Sequence, residues 1–190
     1  MRAHWPALLA ADFFTTEVWT RRGLVTYYTA FVIELHTRRV HVLGSTPYPD
    51  DAFVVQAFRG LAGEGDVLRA GRVLICDRDP KWSRASEALL ATVGVRVVRT
   101  PAAAPNCNAH AERFIRSIKT ECLDHVVPLG ERHLRHLVRE YVDHYRKERN
   151  HQGIGNELIE RPPARRTCGP VRRRQRVGGI LNYYYYRSAA

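Results

Sequence analysis

The segment spanning residues 72–79, RVLICDRD, combines a short apolar run with acidic residues directly after it. Four or five apolar residues bounded by polar ones are typical of a strand buried inside a sheet. Asp77 follows the run immediately, and open α/β sheets bind their ligands at the carboxyl ends of strands. The segment therefore predicts a buried strand with Asp77 at the functional edge of an α/β sheet.

Upstream of this segment, three further strands are predicted. Residues 8–14 are apolar apart from Asp12, residues 24–35 (LVTYYTAFVIEL) are rich in β-branched and aromatic side chains, and residues 39–43 repeat that pattern. Short polar turns join the three, which favours an antiparallel meander. Asp12 lies inside its strand, where a charged carboxylate is costly unless it is paired or bound to a metal ion.

Helical patterns alternate with the later strands. Residues following Asp50 and Asp51 have apolar side chains at helical spacing, residues 85–93 also indicate a helix, and residues 95–98 a final strand. The order β-β-β-α-β-α-β predicts an α/β protein with a mixed five-stranded sheet flanked by helices.

The second half of the chain is predicted to be mainly helical. Residues 100–108 (TPAAAPNCN) contain two prolines and two asparagines and predict a mobile loop, which leads into helices at 109–123 and 131–149. Residues 154–190 are basic and lack periodicity. We therefore expect a core domain over residues 1–153 and an irregular basic tail over residues 154–190, in which residues 183–186 (YYYY) either pack on a partner or stack on bases.

Composition narrows the class of protein. The 190 residues include 30 Lys and Arg but only 19 Asp and Glu, a net charge of +11, and 45% are hydrophobic, which excludes wholesale disorder. No apolar run of about 18 residues indicates a membrane span. The four cysteines form no CxxC pair, so a reduced cytosolic protein is expected. The positive charge predicts a polyanionic partner, most simply nucleic acid.

Three carboxylates are the candidate catalytic and metal-binding residues: Asp12, Asp77 and Glu112. Helical spacing puts Arg116 and Lys119 within about 40° of Glu112, so one helix face carries an acid beside two cations. Carboxylate oxygens suit Mg²⁺ or Mn²⁺, and two such ions can activate a nucleophile and stabilise a leaving oxygen. A solvent-facing strand edge for Asp12 and a helix-dipole role for Glu112 are the competing interpretations.

Four stretches resemble the catalytic core of the DDE integrase and transposase superfamily, particularly bacterial insertion-sequence transposases. They are HWPALLAADFF around Asp12, VLICDRD around Asp77, PNCNAHAERFIRSIKTE around Glu112, and YVDHYRKERNHQG beyond it. Asp77 and Glu112 are 35 positions apart, close to the interval usual in that family.

The resemblance implies an RNase H-like fold and metal-dependent DNA cleavage and strand transfer during integration or transposition. Two Mg²⁺ or Mn²⁺ ions would be held by Asp12, Asp77 and Glu112. Arg116 and Lys119 would contact DNA near the reacting phosphate, the loop ending at Asn108 would move over the site, and a homo-oligomer would join two DNA ends. Separately, Arg146 and Arg149 are candidate phosphate contacts or else a solvated charged face.

Two departures from the family pattern leave alternatives open. Asp79 stands where many relatives have glycine, so it competes with Asp77 as a metal ligand. The helix-turn-helix region that usually precedes the core is not seen, so we expect a core truncated at its N-terminus. The alternatives are an inactive remnant that binds DNA nonspecifically and an RNase H-type nuclease, which would need a fourth acid such as Glu17 or Glu34. His110 is a candidate general acid or metal ligand, although a polar residue at a helix start is the simpler interpretation.

Overall fold

The computed structural model describes residues 2–63, 67–101, 108–160 and 169–186. These residues divide into two compact units, 1–116 and 117–190. No helix in the described part of the chain has both the length and the apolar character needed to cross a bilayer.

The first unit contains a five-stranded mixed sheet in the order β3-β2-β1-β4-β5. Strands β1, β2 and β3 form the predicted antiparallel meander, whereas β1 pairs with β4, and β4 with β5, in parallel. The mixed sheet and its helices confirm the predicted α/β class. The strand bounds are β1 Leu8–Thr20, β2 Gly23–Glu34, β3 Val40–Thr46, β4 Val73–Cys76 and β5 Arg96–Arg99.

Strand β1 continues six residues past the predicted end at residue 14. In that extension the buried Thr16 and Val18 alternate with exposed residues, as expected of a strand with one face in water. Pairing with β2 persists along this extension, as far as Thr20 opposite Gly23. The sequence prediction stopped early because the extension lacks the uniform apolar character of residues 8–14.

The described residues contain four α-helices: α1 Asp51–Gly63, α2 Arg84–Thr92, α3 Ala109–Glu121 and α4 Gly130–Lys147. Asp50 Oδ1 accepts a hydrogen bond from the amide of Phe53 at 2.8 Å, and so caps α1 as predicted. One side of the sheet is covered by α1 and α2, with Phe58, Leu74 and Trp82 among the buried residues of this core. Most of the predicted loop 100–108 lies outside the described residues.

The prediction of an irregular tail is wrong over residues 171–186. Strands β6 Val171–Arg176 and β7 Leu181–Tyr186 pair as an antiparallel hairpin. The alternation that normally reveals a strand is hidden here, because four of the six residues of β6 are arginines and four of the six residues of β7 are tyrosines. The domain boundary at residue 153 stays a prediction.

Candidate active site

Asp12 lies on β1, and both of its carboxylate oxygens accept hydrogen bonds. The Phe13 amide donates to Oδ1 at 2.7 Å, and the side-chain amide of Asn108 donates to Oδ2 at 3.0 Å. Both donors are uncharged, and no cation pairs with Asp12 among the described residues. Burial raises the pKa of Asp12 to about 6; the Phe13 hydrogen bond opposes that rise, whereas the negative charges of Asp77, Glu112 and Asp79 add to it.

Asp77 lies beside Asp12 because of the parallel pairing of β1 with β4. Ala10 is paired with Ile75. Asp12 lies two residues further along β1, and Asp77 lies two residues after Ile75, directly past the end of β4 at Cys76. Neighbouring strands are about 4.8 Å apart, so this register brings the two carboxylates to the same edge of the sheet. The indole Nε1 of Trp82 donates to Asp77 Oδ1 at 2.8 Å, and the Asp79 amide donates to the same oxygen at 3.1 Å. No donor within the described ranges reaches Asp77 Oδ2.

Asp79, unlike Asp77, forms an ion pair with a lysine among the described residues. The Lys81 ammonium is 2.5 Å from Asp79 Oδ2, and the Lys81 amide donates to Oδ1 at 2.9 Å. The same ammonium lies over the rings of Phe13 and Tyr28, at 5.6 and 5.4 Å from their centroids. Lys81 therefore pairs with Asp79, whereas one oxygen of Asp77 has no partner among the residues that the structure describes.

Arg99 on β5 forms hydrogen bonds with the backbone of the loop between Asp77 and Trp82. Arg99 Nη1 reaches the carbonyl oxygens of Asp77 and Asp79 at 3.4 and 3.5 Å, and Nη2 donates to the carbonyl of Trp82. The guanidinium also pairs with Glu87 on α2, with Nη2 2.6 Å from Oε1. The carboxylate of Asp77 therefore projects from a loop whose backbone is held at several points.

Glu112 is on the exposed side of α3, in its first turn. Phe114, two residues later, is buried against Phe31 with the ring centroids 4.9 Å apart, which fixes this part of the helix on the sheet. Asn108, directly before α3, is the residue that bonds to Asp12. No hydrogen bond or ion pair is made by the Glu112 side chain among the described residues, and its charge acts on Asp12.

The donor set fits a hard divalent cation. Asp12, Asp77 and Glu112 have no cationic partner in the described part of the chain, although the protein has a net charge of +11. Asn108 is only 8% exposed, and its Oδ1 is a buried oxygen without a hydrogen-bond partner there. No three Asp, Glu, His or Cys side chains among the described residues form a ready-made ion site. The oxygens present are nevertheless the ligands that Mg²⁺ and Mn²⁺ prefer.

The other predicted site residues have varied surroundings. Arg116 and Lys119 are on α3, the former exposed and the latter half-buried. Arg149 Nη2 is 2.7 Å from Glu121 Oε1, and Arg146 is paired with Glu160. Their roles in DNA binding stay predictions, as does that of Asn108.

His110 and the two candidate fourth acids are engaged elsewhere. The His110 ring meets Trp5 edge-on at 6.0 Å, and burial, helped by nearby arginines, lowers its pKa to about 4. His110 is therefore neutral near pH 7, which fits a polar residue packed at the start of α3 better than a general acid. Glu34 pairs with His41 and Arg72, and Glu17 accepts a 2.6 Å hydrogen bond from the Thr26 hydroxyl.

Trp82 and Lys81 are site residues that the sequence reasoning missed. Both lie within five positions of Asp77, and Trp82 is only 3% exposed. A tryptophan in a polar segment directly after a functional acid was the available signal, since a buried indole N–H needs an acceptor.

Residues 93–157 match the family model described as "Integrase core domain", a segment that includes Glu112 but neither aspartate. No curated protein sequence matches the chain.

Solved integrase and transposase structures share the fold. The catalytic core domain of BIV integrase matches with a TM-score of 0.55 and 18% identity over 81% of this chain and 91% of that one. The HTLV-2 integrase catalytic core domain, solved with magnesium in a dimeric form, matches with a TM-score of 0.59 and 10% identity over 81% and 93%. The catalytic domain of Mos1 mariner transposase matches with a TM-score of 0.59 and 12% identity over 74% and 72%. The structural matches show that this chain has the RNase H-like fold of integrase and transposase catalytic cores, and residues 93–157 are similar to the integrase core domain family.

Proposed function

We propose that the chain catalyses metal-dependent cleavage and strand transfer of DNA, with Asp12, Asp77 and Glu112 as the catalytic, metal-binding residues. The observation that carries the proposal is the lack of ion pairing at these acids: within the described residues all three carboxylates lack a cationic partner although the chain is strongly basic, and Asp12 is partly buried as well. An unpaired cluster of this kind costs folding free energy, and a bound cation would offset that cost.

Two divalent ions bound there would activate the attacking oxygen and stabilise the leaving oxygen of a phosphodiester. The residues of this chain would position the ligands. The Phe13 amide and the Asn108 side chain hold Asp12, while Trp82 and the Asp79 amide fix Oδ1 of Asp77 and leave Oδ2 free to bind. Glu112 would approach from α3, where its carboxylate makes no hydrogen bond or ion pair with the rest of the described chain.

The basic surface would hold the DNA during this reaction. Arg116 and Lys119 on α3 are the proposed contacts near the reacting phosphate, with Asn108, Arg146 and Arg149 as further candidates. One solved relative is a simian T-cell lymphotropic virus intasome, which matches with a TM-score of 0.60 and 10% identity over 96% of this chain and 67% of that one. By analogy with that assembly we propose that this chain also acts as a homo-oligomer on DNA.

The test compares the wild-type chain with Asp12→Asn, Asp77→Asn and Glu112→Gln, which remove charge while keeping side-chain size. Nicking and joining of a labelled duplex should require Mg²⁺ or Mn²⁺ and fall at least a hundredfold in each variant. Duplex binding in EDTA and the circular dichroism spectrum should stay unchanged. Asp12→Asn should also raise the free energy of unfolding at pH 7 by about 1–3 kcal/mol, because a buried, unpaired charge is removed.

Three outcomes would contradict the proposal. Full activity in any one variant would remove that residue from the site. Preferential cutting of an RNA–DNA hybrid would favour an RNase H-type nuclease, for which Asp79 is the nearby fourth acid. Salt-sensitive DNA binding without metal-dependent cleavage would favour the nonspecific DNA-binding remnant.

A further inference from the structure

The C-terminal hairpin, formed by β6 and β7, has an inner face that is tied to α4. In the register of the hairpin, Arg174 is opposite Tyr183 and Arg176 is opposite Leu181. Arg176 Nη2 and Nε are each 2.9 Å from the carboxylate of Glu148, and Arg174 Nη1 is 3.2 Å from it. Glu148 directly follows α4, and its carboxylate and Arg176 are largely buried whereas Arg174 is about half exposed. These ion pairs, together with the buried Leu181, fix the hairpin at the C-terminal end of α4.

The outer face of the hairpin is aromatic, basic and uncovered. Strand alternation places Arg173 and its cross-strand partner Tyr184 on this face, together with the Val171–Tyr186 pair. Tyr184 is 61% exposed and Tyr186 42%. No acidic residue occurs between positions 171 and 186, and Arg173 has no ion-pair partner among the described residues. Four residues of this face therefore combine two open rings with an uncompensated guanidinium.

Charge complementarity favours a nucleic-acid strand as the occupant. Phosphates attract arginines, and unstacked bases gain free energy by stacking on tyrosine rings. A second copy of the hairpin is a poor partner at the β6 edge, because four of the six residues of β6 are arginines and pairing would place like charges opposite one another.

We propose that the outer face of the C-terminal hairpin is a single-strand DNA-binding surface, in which Arg173 contacts phosphate and Tyr184 and Tyr186 stack on bases. It shares no residue with the carboxylate site and goes beyond the function proposed there. The ion pairs of the inner face with Glu148 would fix the position of the hairpin, so the side chains of the outer face would stay available for DNA.

Fluorescence anisotropy of a labelled 20-nucleotide mixed-sequence strand tests the surface. The full chain carrying Asp12→Asn is used in EDTA, so that the result does not depend on cleavage. Tyr184→Ala/Tyr186→Ala should weaken binding at least tenfold. Arg173→Gln should reduce the salt slope by about 0.7. The controls are Tyr48→Ala, a tyrosine that is 75% exposed on the loop before α1, and Arg132→Gln, on the exposed side of α4; both should bind within twofold of the parent.

A second measurement guards against indirect effects. A strand containing 5-iodouracil, irradiated with the full chain, should crosslink to Tyr184 or Tyr186, as read by mass spectrometry. Equal affinity and salt slope in all variants, or crosslinks elsewhere alone, would overturn the proposal. So would a change confined to self-association in sedimentation, because the outer face would then be an interface between copies of the chain.

Discussion

Replacing Trp82 with phenylalanine removes the indole N–H while keeping an aromatic ring in the core. Trp82 packs against Phe13 and Phe58, with ring centroids 4.7 and 6.0 Å away, and a phenyl ring retains most of that contact. The lost group is the donor at 2.8 Å from Asp77 Oδ1. The substitution therefore separates the packing role of this residue from its hold on the carboxylate.

The expected magnitudes follow from that single hydrogen bond. A bond to a charged acceptor contributes about 1.5–3 kcal/mol, and Asp77 Oδ1 keeps the weaker bond from the Asp79 amide at 3.1 Å. Because Asp77 is only half-buried, water can replace the lost donor, and the free energy of unfolding should fall by about 1–2 kcal/mol. Substitution of a residue that orients a metal ligand typically weakens metal affinity by about 10–100-fold. The Mg²⁺ concentration for half-maximal nicking should rise by that factor.

The assay titrates Mg²⁺ and Mn²⁺ against the nicking rate of wild-type protein, Trp82→Phe and Phe58→Leu. Phe58 is fully buried against the same indole but has no polar atom, so its variant reports the effect of lost packing alone. At saturating metal the Trp82→Phe rate should approach the wild-type rate, since the ligands themselves are intact. An unchanged metal requirement in Trp82→Phe, or an equal shift in Phe58→Leu, would refute the positioning role.

Two further predictions concern acids that have cationic partners. Asp79→Asn should keep nicking activity within about tenfold of wild type, because Lys81 already pairs with this carboxylate and the metal ligands are expected to be Asp12, Asp77 and Glu112. A loss of activity as large as that of Asp77→Asn would instead identify Asp79 as a metal ligand. For Glu148, burial raises the pKa but hydrogen bonds from Arg176 and other partners outweigh it and hold the pKa at about 2, against an ordinary 4.5. The depressed value contributes roughly 3 kcal/mol to the free energy of unfolding above pH 4.5, and this is lost as pH falls towards 2. Urea unfolding across that range should therefore show a steeper decline for wild type than for Glu148→Gln, and parallel curves would contradict the assignment.

The core of the fold could be predicted because its strands and helices have distinct periodicities. The apolar run before Asp77, the aromatic and β-branched run that became β2, and the helical spacing after Asp50 each indicated one type of element. The C-terminal hairpin could not be predicted in this way, because its inner face is held by arginine pairs to Glu148 rather than by apolar side chains. A hydrophobic pattern does not indicate an element that is attached to the rest of the protein mainly by ion pairs.

The candidate site was predictable in its acids but not in the residues that hold them. The spacing of Asp77 and Glu112 was visible in the sequence, whereas the hydrogen bond from Asn108 to Asp12 joins positions 96 residues apart. The ambiguity between Asp77 and Asp79 also needed the structure, because the sequence does not show that the Lys81 ammonium pairs with Asp79. Side-chain pairing of this kind depends on local geometry that residue type alone does not specify.

The partners of the acids separate structural from chemical roles in this chain. Glu148 lies among Arg174, Arg176 and His144, which offset the cost of burying its charge. Asp12 is also partly buried, yet its neighbours among the described residues are neutral amides and other acids, so no cation in that part of the chain compensates its charge. With 30 lysines and arginines available against 19 acids, an uncompensated buried carboxylate is not explained by a shortage of cations. A bound metal cation would explain why Asp12, unlike Glu148, is buried without a cationic side chain beside it. This difference between Asp12 and Glu148, more than the spacing of the acids, favours metal-dependent chemistry at Asp12, Asp77 and Glu112.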